Sequence, residues 1–407
     1  MSRLSYLVRS VLASLHETPA ARSNQFLPLP TESSLVTLQL ESALSQSSKN
    51  VAILARFPAQ SFRVSAPNII GHERFSVTAT NAVGPERYLA KITNAICVGQ
   101  SRIVIPAPFN IAFHDEYFHQ DELVSLKSHT PVSNGCISLP ITRPQRAVPK
   151  AIHLMQERDF NYFHWTVEVL PRAFLLRRQQ RRLPVLISSG LHRNLRELLR
   201  LVLPDSEVIE VNPGETIFVE KLFFTSDVAR CLDVLERPVR PDDHVIQSSE
   251  ILSMRELVLS KIGNPAVSTK KRRLYFKRGK NRRSAQNENE VIALLRRYGF
   301  EIIDPESLSL REQIELWRSP EIVIAPAGAV LTNMIWSDPG SYVVALNSDF
   351  NALDPYIMQH LAELRSTKLV QIFGQRCFRL TGRDAFHDDY LVDLDCILKL
   401  LNDVLPG

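Results

Sequence analysis

The chain contains no CxxC pair, and its five cysteines, Cys97, Cys136, Cys231, Cys377 and Cys396, are scattered and odd in number. That pattern signals neither a disulfide framework nor a zinc site and fits a reducing compartment. Glycine is scarce, 14 residues against 25 prolines, and no fixed-period self-similarity is present. Collagen-like, solenoid and propeller architectures are thereby excluded. Neither GxGxxG nor GxxxxGKS/T occurs, which disfavours a dinucleotide enzyme and a P-loop ATPase. No strong charge of one sign is present either: 48 basic residues against 43 acidic leave +5, a balance that tolerates anionic ligands. The basic runs at 177–182 and 270–273 lack the interleaved aromatics of a nucleic-acid footprint, so no nucleic-acid partner is expected.

What remains is ordinary globular material, 44% hydrophobic and 22% charged over 407 residues, enough for two or three domains. At the N-terminus, Leu4, Leu7, Val8, Val11, Leu12 and Leu15 repeat at helical spacing while Arg3 and Arg9 interrupt the apolar face. Such a segment is too short and too charged to span a bilayer or to act as a typical secretory signal. It reads as a docked helix, with contact at a membrane surface as the other option. The expected location is cytoplasmic, with room for a peripheral position at the inner face of the membrane.

Residues 34–50 read as a short helix followed by a Ser-rich loop. From about Tyr88 to Tyr117, β-branched runs broken by Gly99 and prolines predict short strands in a meander. Strand and helix periods then alternate: Ala151–Met155, FHWTVEVLPRAFLLRR, Leu183–Ser188 and LHRNLRELLRLVL form one block, the mark of a parallel sheet wound by helices. Beyond Gly263–Arg273, read as an interdomain linker, a second block alternates through RLYFKR, NENEVIALLRRYG, FEIID, SLREQIELWRS, EIVIAP, AVLTNMIW and SYVVAL. Leu391, Leu394, Ile397, Leu398, Leu401 and Val404 predict a terminal amphipathic helix packing back on the body. The expected architecture is α/β, with two Rossmann-like domains facing a cleft, a β-rich N-terminal extension and a C-terminal crossover helix. The expected boundaries are 1–265, 266–380 and 381–407.

Three constellations can carry chemistry. In a helix starting near Asn161, Asn161, His164, Glu168 and Arg172 share one polar stripe just after a buried strand. Histidine is the residue type whose ordinary pKa lies nearest neutrality, which makes His164 a candidate base, and Glu168 one turn later can orient it or act as base itself. The blander reading is a Glu168–Arg172 surface pair beside a packed His164–Trp165 cluster. Pro171 is expected to kink or restart this helix. The second constellation is Arg278, Arg282 and Arg283, in the loop that leaves the first strand of the second block. Guanidinium groups beside a helix start can clamp a diphosphate, although a charge run is often only a solvated loop. The third is the small-residue turn Ala325–Asn333, where backbone N–H groups can approach a phosphate. Asp393-Leu394-Asp395 resembles a metal-binding DxD but falls inside the terminal helix period, so no metal or other cofactor is expected.

The ordered combination of NYFHWTVEVLPR with the stretch from RLYFKRGKNRR to IAPAGAVLTN resembles glycosyltransferase family 61, a group that includes many capsular polysaccharide biosynthesis proteins. The resemblance covers roughly residues 85–350. It implies a GT-B fold, an inverting mechanism and a nucleotide-sugar donor, a UDP-sugar, held mainly by residues 266–380, with an acceptor side in 1–265. The acceptor it implies is a glycan or lipid-linked glycan. Carried over by residue, it points to Asn161, His164, Trp165, Glu168, Arg278, Glu306, Gly328, Thr332 and Asn333; Arg172 joins the acceptor side and Arg282 the donor side. Family members often read close to P-H-G-A-G-L-T-N where this chain has Pro326-Ala327-Gly328-Ala329-Val330-Leu331-Thr332-Asn333. The missing imidazole and the bulk of Val330 keep a second reading open, a scaffold that binds a glycan or nucleotide without turnover.

Overall fold

The computed structural model describes residues 34–42, 49–71, 77–84, 86–114, 130–132, 136–179, 182–231, 243–263, 271–278, 283–350 and 354–405. The N-terminal helix, most of the Ser-rich loop and Arg282 lie outside the described residues. The chain forms a mixed α/β protein of two compact units, one of residues 1–60 and 85–228, the other of residues 61–84 and 229–407.

The first unit is built on an eleven-stranded sheet. Its centre comprises β1 (Arg87–Val98), β2 (Arg146–His153), β3 (Val185–Ser188), β4 (Val208–Val211) and β5 (Thr216–Thr225). They lie in the order β4-β3-β2-β5-β1, with parallel pairing up to β5 and antiparallel pairing between β5 and β1. The short strands from the expected meander continue this sheet beyond β1. Ser34–Ser42 is a strand of the same sheet and not the expected short helix. Its pairing on both edges, with Cys136–Ile141 and Ile111–His114, decides the conformation.

Side-chain alternation reverses partway along the sheet. Tyr88, Ala90 and Ile92 face the same cluster as Ala95 and Cys97, and between them Asn94 takes a left-handed φ of 55°, which asparagine tolerates better than most residues. Val148 and Ala151 on β2, and Val219 and Leu222 on β5, change parity at the matching level. Both faces of these strands are covered by apolar side chains, as a sheet with helices or loops on each side requires.

In the second unit β6 (Arg273–Phe276), β7 (Glu301–Ile303), β8 (Ile322–Pro326), β9 (Tyr342–Ser348) and β10 (Lys368–Arg376) are all parallel and ordered β7-β6-β8-β9-β10. In chain order that is 2-1-3-4-5, so the topology reverses between β6 and β8. Open parallel sheets bind ligands at such a point, beyond the carboxyl ends of the strands. A short strand, β11 (Tyr390–Leu391), adds antiparallel to β10. Ser309 closes a capping box with Glu312 at the start of one covering helix, Leu310–Arg318. The terminal helix, Leu394–Val404, packs Ile397, Leu400 and Leu401 into the core of this same unit.

Candidate active site

Beyond the carboxyl end of β2 the chain turns through Gln156–Phe160 and enters a π-helical turn, His164–Val169, which runs into the α-helix α1 (Leu170–Gln179). The Leu170 N–H reaches five residues back to the Trp165 carbonyl. Pro171 follows directly, so the break expected at the proline is absorbed as a widened turn ahead of it. Within that turn His164 Nδ1 lies 2.9 Å from Glu168 Oε2. Gln156 Nε2 donates to the same oxygen at 2.7 Å, and Gln156 Oε1 accepts from Arg172 Nη2 at 2.9 Å. His164, Glu168 and Arg172 of the predicted stripe are thus joined, with Gln156 as the link.

Burial alone would raise the Glu168 carboxyl. The facing His164 charge and hydrogen bond, then the Gln156 amide and Arg102, outweigh it and hold the carboxyl down to about 2. Glu168 is therefore an anion at neutral pH and a weak base. With the carboxylate holding Nδ1, the other imidazole nitrogen is left to accept a proton. The group better suited to remove a proton is His164, with Glu168 as its orienting partner.

Several neighbours were not legible in the sequence. Arg102 pairs with Asp227, and its backbone N–H donates to Glu157 at 3.3 Å. His153 is fully buried, with neither ring nitrogen hydrogen-bonded to another described residue. Burial first, then Arg172 and Arg102, push it well below the usual histidine range, so it is neutral. Asp159 accepts from Ser188 Oγ at 2.5 Å and from the Gln156 backbone N–H at 3.3 Å. Burial nevertheless raises its carboxyl to about 6. These groups come from segments far apart in sequence, and a charged turn such as Gln156–Asp159 reads locally as solvated loop.

In the second unit Arg278 sits two residues past β6 and lays its guanidinium against Gly328, two residues past β8. Nη1 donates to the Ala327 carbonyl at 2.7 Å, and a methyl group added to Gly328 would stand 2.9 Å from that nitrogen. Burial lowers the Arg278 pKa against the opposing pull of Tyr390 and Asp389, and the shift leaves guanidinium charged at neutral pH. The returning limb of its loop is fixed by Ser284 N–H to Asp389 Oδ1 and Gln286 N–H to the Tyr390 carbonyl, both at 2.8 Å. After Gly328 the chain forms a 3-10 helix, Ala329–Trp336. The Leu331 N–H bonds the Gly328 carbonyl, so the N–H groups of Ala329 and Val330 precede the first bond of the turn.

The remaining predicted residues fall in differing surroundings. Asn161 caps the turn, its Oδ1 accepting from the Phe163 N–H at 2.9 Å. Trp165 is fully buried and donates to the Leu195 carbonyl at 3.0 Å. Thr332 and Asn333 are buried, and the Asn333 amide ties back to the Val330 carbonyl at 3.1 Å. Glu306 is exposed in the 3-10 turn Pro305–Ser307. Asp393 caps the terminal helix by accepting from the Asp395 and Cys396 N–H groups. Among the described residues no group of three or more His, Cys, Asp or Glu side chains is arranged to hold a metal ion, and no helix is long and apolar enough to cross a membrane.

Residues 162–344 match the model of a family described as Glycosyltransferase 61. That match supports a glycosyltransferase reading of the region it covers, which the α/β fold accommodates but does not itself specify. The matched stretch contains His164, Glu168, Arg278 and Gly328 and begins one residue after Asn161; over that stretch the chain is similar to this family. Among curated proteins, none matches the chain.

Proposed function

We propose that the protein is an inverting, metal-independent glycosyltransferase of the GT-B type, moving a sugar from a nucleotide-sugar donor, a UDP-sugar, to a glycan or lipid-linked glycan during capsule or other surface-polysaccharide assembly. The observation that carries the donor half is Arg278 against Gly328 at the point where the 2-1-3-4-5 sheet reverses, the place such sheets offer to phosphates. A cytoplasmic setting, peripheral to the membrane, accords with the unpatterned cysteines.

In the proposed reaction an acceptor hydroxyl gives its proton to His164 as its oxygen bonds to the anomeric carbon. The bond from that carbon to the diphosphate oxygen breaks, and its electron pair leaves on the nucleoside diphosphate. Arg278 and the N–H groups of Ala329 and Val330 stabilise the developing charge by preorganised electrostatics. Glu168 holds the imidazole and balances the imidazolium.

A thermal-shift panel of nucleoside diphosphates and their sugars tests the donor half. A ligand at a hundred times its Kd adds about 2.7 kcal/mol to stability, and a panel in which nothing shifts the melting temperature defeats the reading. For the base, His164→Ala should lower kcat by about two decades or more with donor binding retained. Near wild-type turnover in both His164→Ala and Glu168→Gln would remove both residues from that role. Donor binding without transfer or donor hydrolysis would favour the scaffold reading instead.

A further inference from the structure

On the reading of His164 as base, we propose that Gln156 is its positioning residue, fixing the Glu168 carboxylate that holds the imidazole. Gln156 is buried, and its amide is placed so that only one orientation works. Its nitrogen donates to Glu168 Oε2 at 2.7 Å and its oxygen accepts from Arg172 Nη2 at 2.9 Å. Reversing the amide would set oxygen against carboxylate and N–H against guanidinium. His164 Nδ1 meets the same Oε2 at 2.9 Å, so two donors fix the direction of one oxygen. Arg172 is itself tethered to the Leu154 carbonyl at 3.2 Å, and the Gln156 backbone N–H is held by Asp159, which Ser188 anchors. The amide thereby ties the turn after β2 to the π-helical turn bearing the base.

Apart from a protonated glutamic acid, no other side chain of this size offers a donor at one terminal atom and an acceptor at the other. Methionine would fill the space with neither. Glutamate would keep the acceptor for Arg172 and, when ionised, replace the donor to Glu168 by a second negative charge. The charged and titratable groups around the pair are Arg172, Arg102 with its partner Asp227, Glu157, Asp159 and the neutral His153.

The test uses the full chain labelled with 15N-histidine. His164 ring signals are those missing from His164→Ala. In the wild type the neutral ring should be a single tautomer with the proton on Nδ1. Gln156→Met and Gln156→Leu should each mix the tautomers, because neither side chain donates to Glu168. Ring signals identical to wild type in both variants would overturn the inference. If Gln156→Met fails to fold, Gln156→Leu decides alone. Turnover of His164→Ala is read separately: an active variant removes the base assignment, whereas an inactive one together with unchanged Gln156 variants removes only the role given to Gln156.

Discussion

Gly328→Ala perturbs the proposed donor clamp without touching a charge. Gly328 has a φ of 164°, extended backbone open to any residue, so alanine brings no strain there. Its Cβ would stand 2.9 Å from Arg278 Nη1 and 3.5 Å from Cζ. The guanidinium must then retreat by about half an ångström to reach ordinary contact, and its 2.7 Å bond to the Ala327 carbonyl stretches toward the long limit of useful hydrogen bonds, about 3.2 Å. Because the displaced atoms end a flexible side chain, the fold should lose less than about 1 kcal/mol. Binding should suffer more, since a charge-assisted contact is worth about 1.5–3 kcal/mol. Misplacing it should cost about tenfold in Kd for a nucleoside diphosphate, while Arg278→Ala should cost one to two decades. Titration calorimetry with UDP and with uridine separates the terms, since the nucleoside lacks the phosphates and should bind all three proteins equally weakly. Unchanged UDP affinity in Gly328→Ala beside a large loss in Arg278→Ala would refute the close-approach argument. Unchanged affinity in both would place the clamp elsewhere.

Three further outcomes are expected. Asp159 is buried and its carboxyl is raised to about 6, against roughly 3.9 in the unfolded chain. The native state thus binds a proton that the unfolded state has lost, and stability falls as pH rises through that window. Asp159→Asn keeps an acceptor for Ser188 and Gln156, so it should raise the melting temperature above pH 6, by about 2 to 3 kcal/mol in stability at most, and give no advantage below pH 4; thermal melts across pH would contradict this if the gain were largest in acid. Trp165→Phe removes the bond to the Leu195 carbonyl and should cost about 1–3 kcal/mol of stability with kcat nearly unchanged; lost turnover at an unchanged melting temperature would make Trp165 an acceptor contact after all. Asp393→Ala should cost about 1 kcal/mol through the lost helix cap and leave transfer insensitive to chelator, whereas activity lost in chelator and restored by magnesium or manganese would reopen Asp393 and Asp395 as ligands.

The second unit was the more legible half because its signals are local. Leu274–Phe276, Ile322–Ala325 and Val343–Leu346 are buried runs, which a parallel sheet covered on both faces demands. Glu288–Arg297 and Leu310–Arg318 announce themselves by acidic starts and a capping box. What the local pattern missed depends on distant partners. Ser34–Ser42 takes its conformation from strands over seventy residues away, and residues 61–84 belong with 229–407 through pairings such as Ile70 with Ile372.

The same division runs through the site. Helical spacing brought His164, Glu168 and Arg172 onto one stripe, because offsets of four need only the backbone. It could not show that the turn would be π-helical, since the widening answers Pro171 and the burial of Trp165 and Val167 together. Nor could it show which of His164 and Glu168 suits the role of base. That choice depends on Gln156 and Arg102 adding to His164 around a buried carboxylate, and each of them is an ordinary polar residue in an ordinary turn. The candidate residues were visible by type and spacing; the groups that hold Glu168 ionised were not, because a field sums over space and leaves no period in the chain.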